Sequence, residues 1–257
     1  MSSRVTPSVS ITRGKAKSVQ HWLLWVGILA PILFMIIFTI DGSLKSGYSA
    51  ADEAISYLEV GANGWIQQAN FILFGLLLIA FTVGYVRRMR PILGQAWLYV
   101  VGTFLVLSHL GWVMAGLFIP NPYLAPQNSL HAVLHQLSPI IIFLLLAIAS
   151  IILGVKLVFT RRWRVYGCYC LVIGLLMTVF PIVSLVHLID PALVGNFVGN
   201  VNSRSPNDGV TERIVLLVGP LGWYLISATV GMLHADQKVE TSKGLEEVHA
   251  ERITGHV

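Results

Sequence analysis

Seven residues able to move protons, bind metals or hold anions sit toward one end of the apolar segments of this chain: His109, His131, His135, His187, Asp190, Glu212 and Arg213. An ionisable group in hydrocarbon is expensive unless it is paired, hydrated or in use, so such a cluster marks a candidate site. His131 and His135 stand four apart, on one helix face about one turn apart, which is a spacing two metal ligands can use. Zinc needs three or four donors, so His109 or His187 would have to complete the set. A carboxylate would then activate the bound water, as in an intramembrane metal-dependent hydrolase. No glutamate lies inside the pair, so the H-E-x-x-H helix of zinc proteases is not formed. The plainer reading is two interfacial histidines bonded to headgroups or loop carbonyls. His109 has a plainer reading too, as a neutral imidazole bonded to a neighbouring helix. A haem held between His109 and His187 is a third reading, weakened by their different depths.

His187 and Asp190 stand three apart, so the carboxylate could orient the imidazole or tune it as a base. Asp190 before Pro191 reads equally as a helix end. Glu212 suits the positive end of a helix dipole, with Asp208 or Thr211 as the cap. Arg213 opposes that dipole and so implies a partner: an acid such as Glu53, or an anionic headgroup or substrate carboxylate. Ser56, near Glu53, has a nucleophile's hydroxyl without a nucleophile's local pattern.

Placing these groups is the work of the apolar runs. Hydrophobic residues make up 55% of the 257-residue chain and charged ones 11%, the balance of a polytopic membrane protein. About 20 apolar residues cross a hydrocarbon core of ~30 Å. Six segments reach that length: Trp22 to Ile40, Ile66 to Val86, Gln95 to Phe118, Leu137 to Leu157, Val165 to His187 and Arg213 to Leu233. The expected fold class is all-α, a six-helix membrane bundle over residues 22–233 between a basic tail (1–21) and a polar tail (234–257). The first apolar run exceeds a signal peptide's core and is read as a retained helix. Fourteen of the 17 Lys and Arg fall in the two tails and the loops on their side, which predicts cytoplasmic N and C termini. The net charge of +5 then reflects topology and anionic headgroups, and nothing implies a nucleic-acid partner.

The loops of the opposite face are longer. Ser49 to Glu59 predicts a short interfacial helix, with Ala51, Ile55 and Leu58 beneath an acidic face of Asp52, Glu53 and Glu59, and Gly61 to Gly64 ending it. Pro120, Pro122 and Pro126 predict a stiff cap, with Tyr123 as an interfacial anchor. The Gly-, Asn- and Pro-rich stretch 188–209 predicts a mobile lid. Gly111 with Ala115, and Ser227 with Gly231, allow close helix contact, and Pro31 and Pro181 predict kinks. Cys168 and Cys170 point in different directions and read as packing residues rather than a disulfide. Phosphate loops, a G-x-S-x-G elbow and a C-x-x-C pair are absent from the sequence.

Gly47, Tyr48 and Ser49 followed by Asp52, Ile55, Ser56 and Leu58, then Gly209 with Glu212 and Arg213, resemble the motifs of the domain of unknown function 998 family of bacterial and archaeal membrane proteins. The resemblance spans most of Trp22 to Leu233, with Glu59 where a glycine is usual. It implies a six-helix fold and a bacterial inner-membrane setting, and no activity. It places Asp52, Ser56, Glu212 and Arg213 at motif positions. The leading expectation is a polar pocket for a lipid headgroup or small amphiphile, in a binding, sensing or transport protein that needs no cofactor. In it Arg213 holds the anion while Glu53 and Glu212 position it. The zinc hydrolase is the alternative.

Overall fold

In hydrocarbon a backbone must satisfy its own N–H and C=O groups, which leaves helices as the solution for each long apolar run. The computed structural model describes residues 8–122, 125–189 and 207–233, with side chains for 19–122, 125–183 and 207–233. Among the described residues there is no strand, and six helices are long and apolar enough to cross a membrane. They are α1 (Ser8–Leu44), α2 (Trp65–Leu93), α3 (Gln95–Leu117), α4 (Leu130–Val158), α5 (Arg164–Ile189) and α6 (Asp208–Leu233). A 3-10 helix, Ile55–Glu59, lies between α1 and α2. Large apolar side chains stand exposed along the helices, among them Leu29, Ile36, Leu76, Leu107, Val172 and Val218, a surface suited to lipid rather than water.

Several helices begin or end away from the expected positions, α1 running from Ser8 to Leu44. α2 continues past Val86, so that Arg87, Arg88 and Arg90 are helical, and Gly94 at φ +78° turns the chain straight into α3. α4 starts at Leu130 rather than Leu137, because Ser129 caps it by accepting the Ala132 N–H at 3.1 Å. His131 and His135 therefore lie in its first two turns. α6 starts at Asp208, with Asn207 at its N-cap and no side-chain cap bond, so neither Asp208 nor Thr211 is the cap.

Successive helices pack side by side from α1 through α5, and α6 fills the remaining gap. Its inward residues reach all the others. Ala228 lies near Gly27 of α1, and Tyr224 packs against Phe74 and Phe81 of α2 and His109 of α3. Trp223 Nε1 donates to Ser150 Oγ of α4, and Tyr166 of α5 donates to Ser227 Oγ. A proline inside α6, Pro220, removes a backbone donor, and the helix widens to π geometry over Leu217–Leu221.

Two kinds of glue hold the bundle. Toward the end bearing the 3-10 helix, Phe34, Phe71, Phe74 and Trp112 form an aromatic cluster, with Phe34 and Phe74 stacked at 4.5 Å. Toward the other end the hydroxyls of Tyr85 and Tyr166 meet at 2.7 Å, and Ser150 donates to the Cys170 carbonyl at 2.8 Å. Such interhelical bonds, with small residues at contact points, drive association where lipid removes the hydrophobic incentive. Gly111 sits against Ile142 and the Ser138 carbonyl, and Gly231 against Leu24, as close contacts require. Cys168 and Cys170 are both free thiols, the first exposed and the second buried.

One close helix contact on glycine joins α4 and α5. A Cβ on Gly154 would stand 2.8 Å from the Leu171 nitrogen and 2.9 Å from the Gly167 carbonyl. Gly154→Ala is expected to destabilise the detergent-solubilised protein by about 1–3 kcal/mol, read from its unfolding midpoint. Gly102→Ala is the control, since its Cβ would meet only Val86 methyls at 3.3 and 3.9 Å, and its midpoint should move far less.

Candidate functional site

Two ends of the bundle differ in chemistry. One carries the linkers between α1 and α2 and between α3 and α4, and is here called the cap face. The other carries Arg87, Arg88, Arg90, Arg161, Arg162 and Arg164, and is the basic face. The candidate residues Asp52, Glu53, Ser56, Glu212 and Arg213 meet on the cap face.

The segment expected to be an acidic interfacial helix over Ser49 to Glu59 is instead a turn followed by the 3-10 helix Ile55–Glu59. Ile55 and Leu58 are buried as the apolar pattern requires, but so are Glu53 and Glu59, so no acidic face meets solvent. The 3-10 helix has no side-chain cap of its own. Its first N–H, on Ile55, donates to Glu212 Oε2 at 2.7 Å. At its other end Lys45 Nζ donates to the carbonyls of Tyr57 and Val60, each at 2.6 Å, and lies 3.4 Å from that of Leu58. An anion at the amino end and a cation at the carboxyl end match the short helix's dipole. Burial pulls the Lys45 ammonium below its usual value, opposed by Asp41 and Glu53.

Arg213 closes the same junction. Its guanidinium donates to the Gly209 carbonyl at 2.8 Å, the Glu53 main-chain carbonyl at 3.2 Å and Tyr48 OH at 2.6 Å. Tyr48 OH in turn donates toward the carbonyls of Glu53 and Ala54, at 3.1 and 3.2 Å. Burial, the largest influence, pushes the Tyr48 phenol up to about 12. The expected partner of Arg213 is thus Glu53 through its backbone, together with Tyr48. Asp52 holds the approach to α6, accepting the Asn207 N–H at 3.2 Å and the Ser49 hydroxyl at 2.6 Å. Val210 N–H reaches the Ala51 carbonyl at 3.0 Å. Gly209 is required by this closeness, because a Cβ there would stand 2.6 Å from the carbonyls of both Ala50 and Glu53. Ser56 lies half-buried within the 3-10 helix.

A small cavity opens beside this clasp, about 160 Å³, lined by Lys45, Ser46, Gly47, Tyr48, Glu53, Tyr57 and Val60. Of the sequence candidates only Glu53 is in its wall, while Arg213 stands behind Tyr48. Lys45 was not among the candidates. Its signal was available, since it is one of three basic residues that the charge asymmetry leaves on this face.

The histidines part company. His109 is fully buried, with Nδ1 3.1 Å from Thr82 Oγ1. The Thr82 hydroxyl donates to the Leu78 carbonyl, which assigns the remaining proton to His109 Nδ1. His135 Nδ1 lies 2.6 Å from the Phe118 carbonyl and 3.1 Å from that of Ala115. Both are acceptors, so Nδ1 carries the proton. His131 packs edge-on to Phe118. Among the described residues no three His, Cys, Asp or Glu side chains converge as a metal site. The side chain of His187, all of Asp190 and Tyr123, and the stretch expected as a lid from 190 to 206 lie outside the described residues.

Glu59, expected on an exposed acidic face, is the most deeply buried of those acids. It is 1% exposed, and neither carboxyl oxygen has a hydrogen-bond partner. Oε2 lies 3.4 Å from His135 Nδ1, whose proton already points to Phe118. Burial pushes this carboxyl up to about 9, so it is neutral at pH 7 and the contact with His135 is not an ion pair.

Because Gly209 and Arg213 serve one junction, Gly209→Ala and Arg213→Ala are each expected to cost about 2–3 kcal/mol of stability. The double variant should lose less than the sum, as thermal unfolding of all three proteins will read. Arg213→Lys should fall between, since one ammonium cannot span Tyr48 and Gly209 as the fork does. The folded protein keeps the Glu59 proton to about pH 9, whereas an ordinary glutamate releases it near 4.5. Glu59 therefore contributes stability that is complete below 4.5, declines as pH rises and is gone above 9. Unfolding midpoints measured from pH 5 to 9 should fall more steeply for the wild type than for Glu59→Gln.

No curated protein and no solved structure matches this chain. The sequence model of one family, DUF998, described as a protein of unknown function, matches residues 28–230, a span that runs from α1 to α6 and contains the whole cap-face junction. The chain belongs to the DUF998 family and is one of its multi-pass membrane members.

Proposed function

We propose that this protein is a binding, sensing or transport element whose cap-face cavity takes the head of a lipid or small amphiphile. The observation that carries the reading is the cavity itself, with Lys45 and Glu53 both in its wall, at the level where the helices leave the apolar zone. A ligand with a polar head and an apolar body fits such a boundary, since its body can stay in the bilayer. Two charges of opposite sign at one cavity favour a zwitterionic head over a singly charged one. Gly47 at φ +78° carries the chain around the cavity rim, with open space where a side chain would stand.

Arg213, Glu212 and Asp52 work from behind the wall. Arg213 fixes the Tyr48 hydroxyl, Glu212 fixes the start of the 3-10 helix, and Asp52 ties the loop to α6. Ser56 completes the same short helix. The charge asymmetry supports a cap face turned away from the cytoplasm, and the family resemblance supports the plasma membrane of a bacterium as the setting.

The test is Ser46→Trp, which fills the cavity from an exposed position without touching the clasp. Wild-type protein extracted from mixed vesicles should retain phosphatidylethanolamine over uncharged diacylglycerol, as native mass spectrometry will show. Ser46→Trp should lose that preference about tenfold, equivalent to 1.4 kcal/mol, with its unfolding midpoint unchanged. Equal retention by both proteins would overturn the reading.

A further inference from the structure

The basic face holds a second concavity, remote from the cap-face site. It is a groove of about 540 Å³ between the start of α5 and the end of α6, lined by Arg162, Trp163, Val165, Tyr166, Tyr169, Ile226, Val230 and Leu233. Residues 165, 166 and 169 of α5 repeat at helical spacing on one side, just after Arg162 and Trp163 in the preceding turn, and 226, 230 and 233 of α6 on the other. Two helix stripes therefore face a shared channel. The α6 stripe covers seven residues of rise, so the groove runs ~10 Å along the bundle axis. Its floor is apolar and aromatic, with Tyr166 and Tyr169 stacked at 6.3 Å.

Three features give the groove a polarity. Arg162 lines its mouth, with exposed Arg161 and Arg164 on either side of Trp163. Trp163 marks the depth at which aromatic residues meet headgroups. Further in, the Tyr169 hydroxyl is buried and has no hydrogen-bond partner, although a buried hydroxyl almost always finds one. The order from the membrane surface inward is cation, indole, lone hydroxyl and apolar channel. A phospholipid presents the matching order: phosphate, glycerol and ester, then acyl chain.

We infer that this groove binds an anionic glycerophospholipid of the adjacent leaflet, its phosphate at Arg162, an ester carbonyl accepting from Tyr169 OH and one acyl chain along Val165, Ile226 and Val230. Charge selects the occupant. Arg162, the one arginine that lines the groove, favours a headgroup of net negative charge over a zwitterionic one by about 1 kcal/mol, the value for one basic residue near the surface. The groove is separate from the cap-face cavity, so its occupancy is independent of the proposed function.

The experiment uses the full chain reconstituted in vesicles of equal parts phosphatidylglycerol and phosphatidylcholine, extracted gently and examined by native mass spectrometry. The wild type should retain phosphatidylglycerol about fivefold over phosphatidylcholine, the ratio one such charge supplies. Arg162→Gln should bring the ratio toward unity with lipid still bound. Ile226→Trp, a half-exposed position facing the channel, should remove the bound lipid altogether. Tyr169→Phe should weaken retention of both lipids without changing the ratio. Equal retention of the two lipids by the wild type, or an unchanged ratio in Arg162→Gln, would overturn the inference. So would a full chain that retains neither lipid while a chain ending at Leu233 retains both, because the groove would then belong to the chain's own segment 234–257.

Discussion

A five-residue 3-10 helix cannot hold itself together. It has too few internal bonds to offset the order it demands, and both of its ends present backbone groups with no intrahelical partner. Here the charged side chains of two other elements supply what it lacks. Glu212, from α6, takes the N–H of Ile55, and Lys45, just beyond α1, takes the carbonyls at the far end. The arrangement of the cap face follows from that double capping. With the 3-10 helix fixed, Ile55 and Leu58 plug the end of the bundle, the turn before it closes over the start of α6, and the cavity keeps its rim.

The same constraint explains why Glu59 is buried. It is the last residue of the 3-10 helix, and the chain must turn down sharply from there into α2. Gly64 lies so close to the Glu59 carbonyl that a Cβ would collide with it, and Gln68 donates to that carbonyl at 3.2 Å. The backbone is held from both directions, so the side chain goes where the turn sends it, against His135. A carboxyl in that place remains neutral over most of the pH range, because no donor offsets its loss of water. Lys45, by contrast, keeps three carbonyls within reach, which is how a partly buried ammonium is tolerated beside Asp41.

Below the cap, α6 unites the bundle. Trp223 and Tyr224 are fully buried side by side, one bonded to α4 and the other packed among α2 and α3. Its opposite face, with Ile214, Leu217 and Val218, is exposed. Because α6 also supplies Glu212 and Arg213, any shift of this helix moves the cap-face junction with it. The π segment at Pro220 lies between the two regions. The candidate pocket and the bundle packing are thereby mechanically one unit.

The sequence by itself determined the six spans, because twenty apolar residues in a row admit few alternatives in hydrocarbon, and it pointed to Glu212 and Arg213, because a cation in the first turn of a helix demands a partner. His109 was legible as an inward residue for the same reason of cost. Which atoms met Arg213 was not legible, since a carbonyl of Glu53 and the hydroxyl of Tyr48 become neighbours only when residues some 160 positions apart fold together. Nor could periodicity place Glu59 in the interior or divide Lys45 and Glu53 from the residues behind them. Local pattern records what a residue prefers, whereas burial and hydrogen-bond partners depend on which backbone arrives opposite, and that was decided by tertiary structure alone.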